Sequence, residues 1–356
     1  MNIYLLLFIV PALPCLLARL PRLIDTDRRV YKKAAILLFF SLLFLLSALR
    51  AHSVGNDTNN YETVFRRFAN HNLAYALSYK EPAFALLCKL VHSLTGSYQF
   101  LLAVIAFISL LPVAWFYAKN VENPMTTIAL FMFFSVFYMY FSGMRQIIAI
   151  GLGIVAYYFT KGKKPIPYLL VVLAAYFFHR SAIVLAVMYP IYWFRIMKRS
   201  VIFVVLVMGL IYVFNQPIFS LLHGLIQDYE GLGDSNTGAY TMLFLLILFC
   251  VFSFVVTEED DLDQDTVGLR NFLLVTTAIQ MFVPLNFLVM RMGYYYMIFL
   301  PIALPRIMVN ASPRWRATSM AANVVLFCFF AFRFIVYAPS QNILHIFPYH
   351  FFWEMI

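Results

Sequence analysis

The sequence predicts an all-α protein, a polytopic transmembrane helical bundle of about 12 spans plus one re-entrant or interfacial outer helix. Three observations predict it. The chain is 63% hydrophobic and only 12% charged, with a mean hydropathy of +0.82. Apolar runs of about 17–25 residues recur along it, each long enough for a hydrocarbon core of roughly 30 Å. In lipid the backbone must be satisfied within each segment or by closed pairing, and the alternating segments of about ten residues that mark a β-barrel are absent.

The runs fall at 3–18, 34–50, 98–118, 125–141, 144–160, 165–178, 180–195, 201–216, 239–257, 268–288, 293–309 and 317–337. The start, Asn2 to Leu17, has no basic region before its apolar run and is followed by arginines. It reads as a first span with its N-terminus outside rather than a cleaved signal peptide. The segment 81–96 is apolar but interrupted by Lys89 and His92, so it is expected to lie at the interface or re-enter rather than cross. The stretch 165–195 reads as two segments split at His179 or as one long kinked helix. No soluble domain can be cut out of the chain. The expectation is a single transmembrane domain, 1–356, with outer segments at 51–97, 217–238 and 338–356.

Charge orients this map. The net charge of +10 invites a nucleic-acid reading, but the basic residues cluster in short loops between spans. With the N-terminus outside, sixteen fall on the inner side: Arg19, Arg22, Arg28, Arg29, Lys32, Lys33, Lys119, Lys161, Lys163, Lys164, Arg195, Lys198, Arg199, Arg306, Arg314 and Arg316. Nine fall outside: Arg50, Arg66, Arg67, Lys80, Lys89, Arg145, Arg180, Arg291 and Arg333. Arg270 lies within a span. That bias is the positive-inside pattern, and it favours the split at His179. The acidic run Glu258 to Asp265 carries little weight in it. The four cysteines, Cys15, Cys88, Cys250 and Cys328, lack metal-ligand spacing and read as inert thiols.

Charges at membrane depth cost about 2.5–3.5 kcal/mol on insertion scales, so those that persist have a partner or a task. Four places stand out, all on the outer side of the map. In Gly55-Asn56-Asp57-Thr58-Asn59-Asn60-Tyr61-Glu62, Gly, Asn and Asp favour a turn and a helix N-cap. The alternative makes Asp57 a carboxylate facing a polar substrate. In Lys80-Glu81-Pro82, Pro82 suits a first helical position and Glu81 the positive end of the helix; pairing with an arginine competes with that. In Tyr140-Phe141-Ser142-Gly143-Met144-Arg145-Gln146, Arg145 is either a snorkelling side chain or an anion clamp. Its forked donors match phosphate oxygens, and a helix start adds free N–H groups. In Phe178-His179-Arg180-Ser181, a histidine and an arginine sit at a helix break. Arg291, ahead of Gly293-Tyr294-Tyr295-Tyr296, is a weaker fifth element.

Three arginines at outer span ends suit a polyanion better than a single structural ion pair. Glycine-rich nucleotide loops, metal-ligand spacings and paired intramembrane carboxylates are absent from the sequence, so no metal and no cofactor is expected. A nucleotide-sugar donor is not supplied on that face. A lipid-linked phosphate or pyrophosphate reaches it laterally from the bilayer.

The runs Gly55-Asn56-Asp57, Tyr61, Glu81-Pro82-Ala83-Phe84, Met144-Arg145-Gln146-Ile147-Ile148-Ala149-Ile150 and Ala174-Ala175-Tyr176-Phe177-Phe178-His179-Arg180-Ser181-Ala182 together resemble the EpsG family. So do Arg291 with Tyr294–Tyr296 and the tail Phe347-Pro348-Tyr349-His350-Phe351-Phe352-Trp353. The resemblance runs from about residue 50 to the end, and departs at Gly143, where that family often has Asn. It implies a Wzy-like polysaccharide polymerase of the bacterial envelope, related in architecture to metal-independent membrane glycosyltransferases. Such proteins join oligosaccharide repeat units carried on undecaprenyl pyrophosphate, at the outer face of the plasma membrane, as in exopolysaccharide, O-antigen or capsule synthesis.

On that resemblance the expected reaction is glycosyl transfer from one lipid-linked glycan to a hydroxyl of another. Arg145, assisted by Arg180 and Arg291 and flanked by Gln146, is expected to stabilise the departing pyrophosphate. Asp57 is the first choice of general base, with Glu81 or His179 behind it. Tyr61 and outer aromatics such as Tyr295 are candidates to stack on sugar rings. Membrane lipid, a chain-length regulator and other envelope polysaccharide-synthesis proteins are candidate partners; nucleic acid is not. The rival readings are a transporter or flippase of a lipid-linked or anionic solute, which needs a polar path through both leaflets, and a scaffold.

Overall fold

The computed structural model describes residues 3–18, 28–134, 136–196, 201–225, 237–258 and 262–354. Arg19, Arg22, Lys198, Arg199, the centre of the acidic run at 259–261 and residues 226–236 of the outer segment 217–238 lie outside the described residues. Among the described residues every regular element is helical, and extended pairing is confined to two isolated bridges, Arg50 with Phe351 and Thr257 with Ala311.

The chain groups into two compact units, one of Met1–Leu185 with Ala322–Ile356 and one of Ala186–Ala321. The first unit contains α1 (Leu6–Leu17), α2 (Arg28–Ala48), α3 (Thr58–Asn70), α4 (Leu73–Leu77), α5 (Pro82–Thr95), α6 (Tyr98–Asn120), α7 (Pro124–Phe133), α8 (Val136–Ser142), α9 (Met144–Lys161) and α10 (Pro165–Phe178). Local chemistry sets many of these boundaries. Pro82, Pro124 and Pro165 each occupy a first helical turn, where the missing N–H leaves no bond unmade. Ser97 and Asn123 accept backbone N–H groups from Phe100 and Thr126 and so cap α6 and α7. Gly96 ends α5 with φ +63°, a conformation that a side chain resists.

Among the described residues, four helices are long and apolar enough to cross a membrane: Arg28–Ala48, Tyr98–Asn120, Gly238–Val256 and Pro313–Tyr337. Three bent pairs bring the number to seven if each is a single span: Pro124–Phe133 with Val136–Ser142, Val201–Val213 with Asn215–Leu221, and Phe287–Met297 with Leu300–Val309. The described residues thus present four to seven candidate spans, and the expected twelve are not clearly present. The reason is length. The 14 residues of α10 rise about 21 Å at 1.5 Å each, short of a core of roughly 30 Å. Beyond His179 the chain forms a tight 3₁₀ helix, Arg180–Val187, and then α11 (Met188–Trp193), rather than a single apolar helix. The split at His179 is where the sequence put it. The 81–96 segment is the 14-residue α5, too short to cross, and its lysine is turned inward: Lys89 Nζ donates to Phe68 O (3.2 Å) and His71 O (2.5 Å), closing the end of α3.

In the first unit α9 packs against α6 and α10, while α5 packs against α3 and α10. Tyr4 is a hub for both ends of the chain. Its buried ring meets Phe137, Phe141, Phe334, Phe347 and Tyr349 edge-on, and its hydroxyl donates to Ile346 O at 2.9 Å. Arg50, counted from sequence among the outer cations, is buried, and its guanidinium donates to Ser47 O at the end of α2.

The second unit holds α11, α12 (Val201–Val213), α13 (Asn215–Leu225), α14 (Thr237–Val256), α15 (Gln264–Gln280), α16 (Met290–Met297) and α17 (Leu300–Val309), followed by α18 (Arg316–Phe332), which runs on into the first. Helix α15 packs against α11, α14, α16 and α17. Gly268 makes the approach to α11 possible, since a Cβ there would lie 2.3 Å from the Tyr192 ring. Arg270, the one arginine the sequence places within a span, donates to Ile196 O at 2.7 Å and lies over the Phe254 ring. Asp265 accepts from Arg306 (2.6 Å) and from Tyr192 (2.9 Å). These buried charges are tied to named partners inside the unit. Large apolar side chains face outward on α12 and α14, Ile202, Phe203, Val213 and Phe244 among them, the inverse of a water-soluble surface.

Candidate functional site

The site grows from three chain breaks in the first unit. The first is the turn before α3. Gly55 has φ +96°, and a Cβ on it would sit 1.8 Å from Phe141 O, so only glycine allows this turn to press on the end of α8. Thr58 Oγ1 donates to Val54 O at 2.7 Å, and Tyr98 OH donates to Thr58 O at 2.7 Å, fixing the first turn of α3. Asp57 stands at the N-cap position but does not cap. Its Oδ2 instead accepts from Ser142 Oγ at 3.1 Å, and the half-buried carboxylate makes no other hydrogen bond among the described residues.

The second break is Gly143, between α8 and α9, which puts Arg145 and Gln146 in the first turn of α9. The snorkelling account of Arg145 does not hold. Its guanidinium forms an ion pair with Glu81, its Nε donates to Tyr61 OH at 3.3 Å, and it lies 5.6 Å from the centre of the Tyr61 ring. Gln146, next along, is buried.

The third is His179, whose extended backbone ends α10. Its Nδ1 lies 2.7 Å from Glu81 Oε1, and the Arg180 N–H donates to the same oxygen at 3.3 Å. Arg180 Nε donates to Lys80 O at 3.2 Å, and the side chain is exposed. His179 Nε2 is buried, with no hydrogen-bond partner among the described residues.

Glu81 is thus the centre of the cluster. It precedes Pro82 but gives α5 no side-chain cap; arginine pairing, not capping, is its role. Its side chain is only 3% exposed. Burial pushes its carboxyl up, but the hydrogen bond with His179 and the charge of Arg145 outweigh burial and hold it below the usual carboxylate range. A carboxylate held by three donors is a poor proton acceptor, which sets Glu81 apart from Asp57 chemically.

Asp57, Tyr61, Glu81, Arg145, Gln146, His179 and Arg180 therefore all belong to the first unit, and five of them form one bonded chain from Tyr61 through Arg145 and Glu81 to His179 and Arg180. Arg291 and Tyr295 belong to the second unit, on α16, with Arg291 half-buried and Tyr295 fully buried. Sequence reasoning missed Ser142 as the partner of Asp57 and Tyr98 as the brace of α3. Ser142 stood inside the quoted run beside Gly143, so its position was visible although its bond was not.

Chemically the cluster offers a cation beside a helix start, for charge that develops on a leaving group, and a separate carboxylate free to accept a proton. No curated protein and no solved structure matches the chain. The EpsG family model matches residues 33–351, a stretch that includes every residue of the cluster. With its apolar helices and that match, the chain is a membrane protein of polysaccharide biosynthesis and belongs to the EpsG family.

Proposed function

We propose that the protein is a Wzy-like polymerase that transfers a glycan from undecaprenyl pyrophosphate to a hydroxyl of a second lipid-linked repeat unit. The observation that carries this reading is Arg145, held by Glu81 and Tyr61 at the start of α9, with Asp57 left open on the neighbouring turn. As the anomeric carbon–oxygen bond breaks, the electron pair leaves on pyrophosphate. Arg145, at the start of α9, stabilises that charge, and the exposed Arg180 adds a second cation. Asp57 accepts the proton of the acceptor hydroxyl as it attacks the anomeric carbon. Glu81 and His179 orient the clamp. The basic residues favour an orientation with this site on the outer face of a bacterial plasma membrane. Membrane lipid surrounds it there, and a chain-length regulator is a candidate neighbour.

The test is polymer production in a deletion strain complemented with wild type, Asp57→Asn, Arg145→Ala and His179→Ala, at matched expression and insertion. The expected result is loss of polymer with single repeat units accumulating on lipid at the outer face. Units trapped at the inner face would instead identify a flippase, and normal polymer from all three variants would reduce the cluster to structure.

A further inference from the structure

The C-terminal segment runs back over the turn that carries Asp57. Arg50 and Phe351 pair as an antiparallel bridge, Ala51 N donates to His350 O at 2.9 Å, and Phe352 N donates to Leu49 O at 3.0 Å. Tyr349 OH donates to Leu46 O at 2.8 Å, and Gly55 N donates to His345 O at 3.0 Å. Backbone bonds thus fix this segment against residues 49–55, two positions from Asp57.

Its side chains are arranged for more than packing. Phe351 and Trp353 stack face to face, 4.5 Å apart at 11°, and Phe352 meets Trp353 edge-on at 4.9 Å and 77°. Trp353 is nevertheless 57% exposed and Phe352 45%. Beside them His350 Nδ1 lies 3.0 Å from Glu354 Oε2, and both groups reach solvent. A pyranose ring carries polarised C–H groups on its face and hydroxyls around its rim. The negative face of an indole takes the first, and a carboxylate–imidazole pair takes the second. An indole can also anchor at the level of lipid headgroups. Glu354 argues against that occupant, because a carboxylate attracts hydroxyls and repels phosphate.

We propose that Trp353 and Phe352, with His350 and Glu354, form a sugar-binding subsite. It holds a pyranose residue of a lipid-linked glycan next to the turn of Asp57, away from the bond being made. The subsite rests on the polymerase reading above.

The experiment uses the full chain in nanodiscs of fixed lipid composition, with the polyprenyl-pyrophosphate-linked repeat unit as substrate. Trp353→Ala raises KM about two- to tenfold, the range expected for one aromatic contact, while Trp353→Phe, which keeps a ring face, recovers most of it. Trp353→Leu separates sugar stacking from lipid anchoring. It matches Trp353→Ala if a ring face is needed, and a wild-type KM for Trp353→Leu overturns the subsite in favour of anchoring. An unchanged KM for Trp353→Ala in a protein that polymerises overturns the subsite alone. Wild type that makes no polymer from this substrate overturns the polymerase reading and the subsite with it.

Discussion

His179 presents Nδ1 to one oxygen of Glu81 at 2.7 Å while Arg145 takes the other, so a single carboxylate joins α5, α9 and the end of α10. Each of the three residues comes from a different break in the helices. The cluster is consequently a feature of the packed bundle and not of any one segment.

Arg145→Ala is expected to lower polymerisation about 100- to 1000-fold, the usual cost of removing a donor aimed at developing charge. Arg145→Lys keeps the charge but loses the fork that spans Glu81 and Tyr61, so it restores only part of the activity. The measurement is initial rate of polymer formation in nanodiscs at matched protein. A rate within a factor of three of wild type for Arg145→Ala removes the clamp.

Asp57→Asn is expected to lower kcat about 100-fold or more with little change in KM, because only proton transfer is lost. Ser142→Ala removes one hydrogen bond to that carboxylate and costs far less, about tenfold at most. The order of the two variants is the test. Ser142→Ala as damaging as Asp57→Asn makes the pair a structural brace.

Glu81 gives the stability a pH dependence of known sign. Its folded carboxyl titrates below the ordinary value of 4.5. Its contribution is therefore fully present above about pH 4.5 and is lost as pH falls through the lower folded value. Thermal unfolding of the detergent-solubilised protein from pH 6 to pH 3 should show Tm falling at the acid end. Glu81→Gln should lower Tm at neutral pH and flatten that acid limb. An identical acid limb in the variant assigns the fall to other carboxylates.

Gly55→Ala forces a side chain into a positive-φ position and against Phe141 O, at a cost of roughly 2–4 kcal/mol. A lower Tm together with loss of polymer is expected, since the same turn holds Asp57 toward Ser142. Unchanged stability by differential scanning fluorimetry contradicts the close approach.

Most of the cluster was legible because each member broke a local rule. Arg145 opened an apolar helix, His179 interrupted one, and Glu81 sat ahead of a proline. Residues that break no rule stayed hidden. Ser142 is an ordinary helix end, and Tyr98 looks like one more interfacial aromatic; their bonds to Asp57 and Thr58 O close loops of 85 and 40 residues. Lys89 marked 81–96 as a segment that does not cross, but its bonds to Phe68 O and His71 O, made to a different part of the chain, were not visible. The span count is only partly matched, with four to seven candidate spans among the described residues, for a related reason. Hydropathy sees that 165–195 is apolar but not that its halves are a 14-residue helix and a 3₁₀ turn.

The pair between Arg145 and Glu81 also sets an entry condition. In the resting protein the guanidinium is already neutralised, so an incoming anion has to outcompete a carboxylate fixed in place. Phospholipid headgroups with a single negative charge vastly outnumber any diphosphate carrier in a bilayer, yet one charge offers Arg145 nothing it does not already have. Two linked phosphates do. On the polymerase reading, Glu81 would act as a doorkeeper, reserving the cation for a doubly charged lipid carrier amid many singly charged competitors.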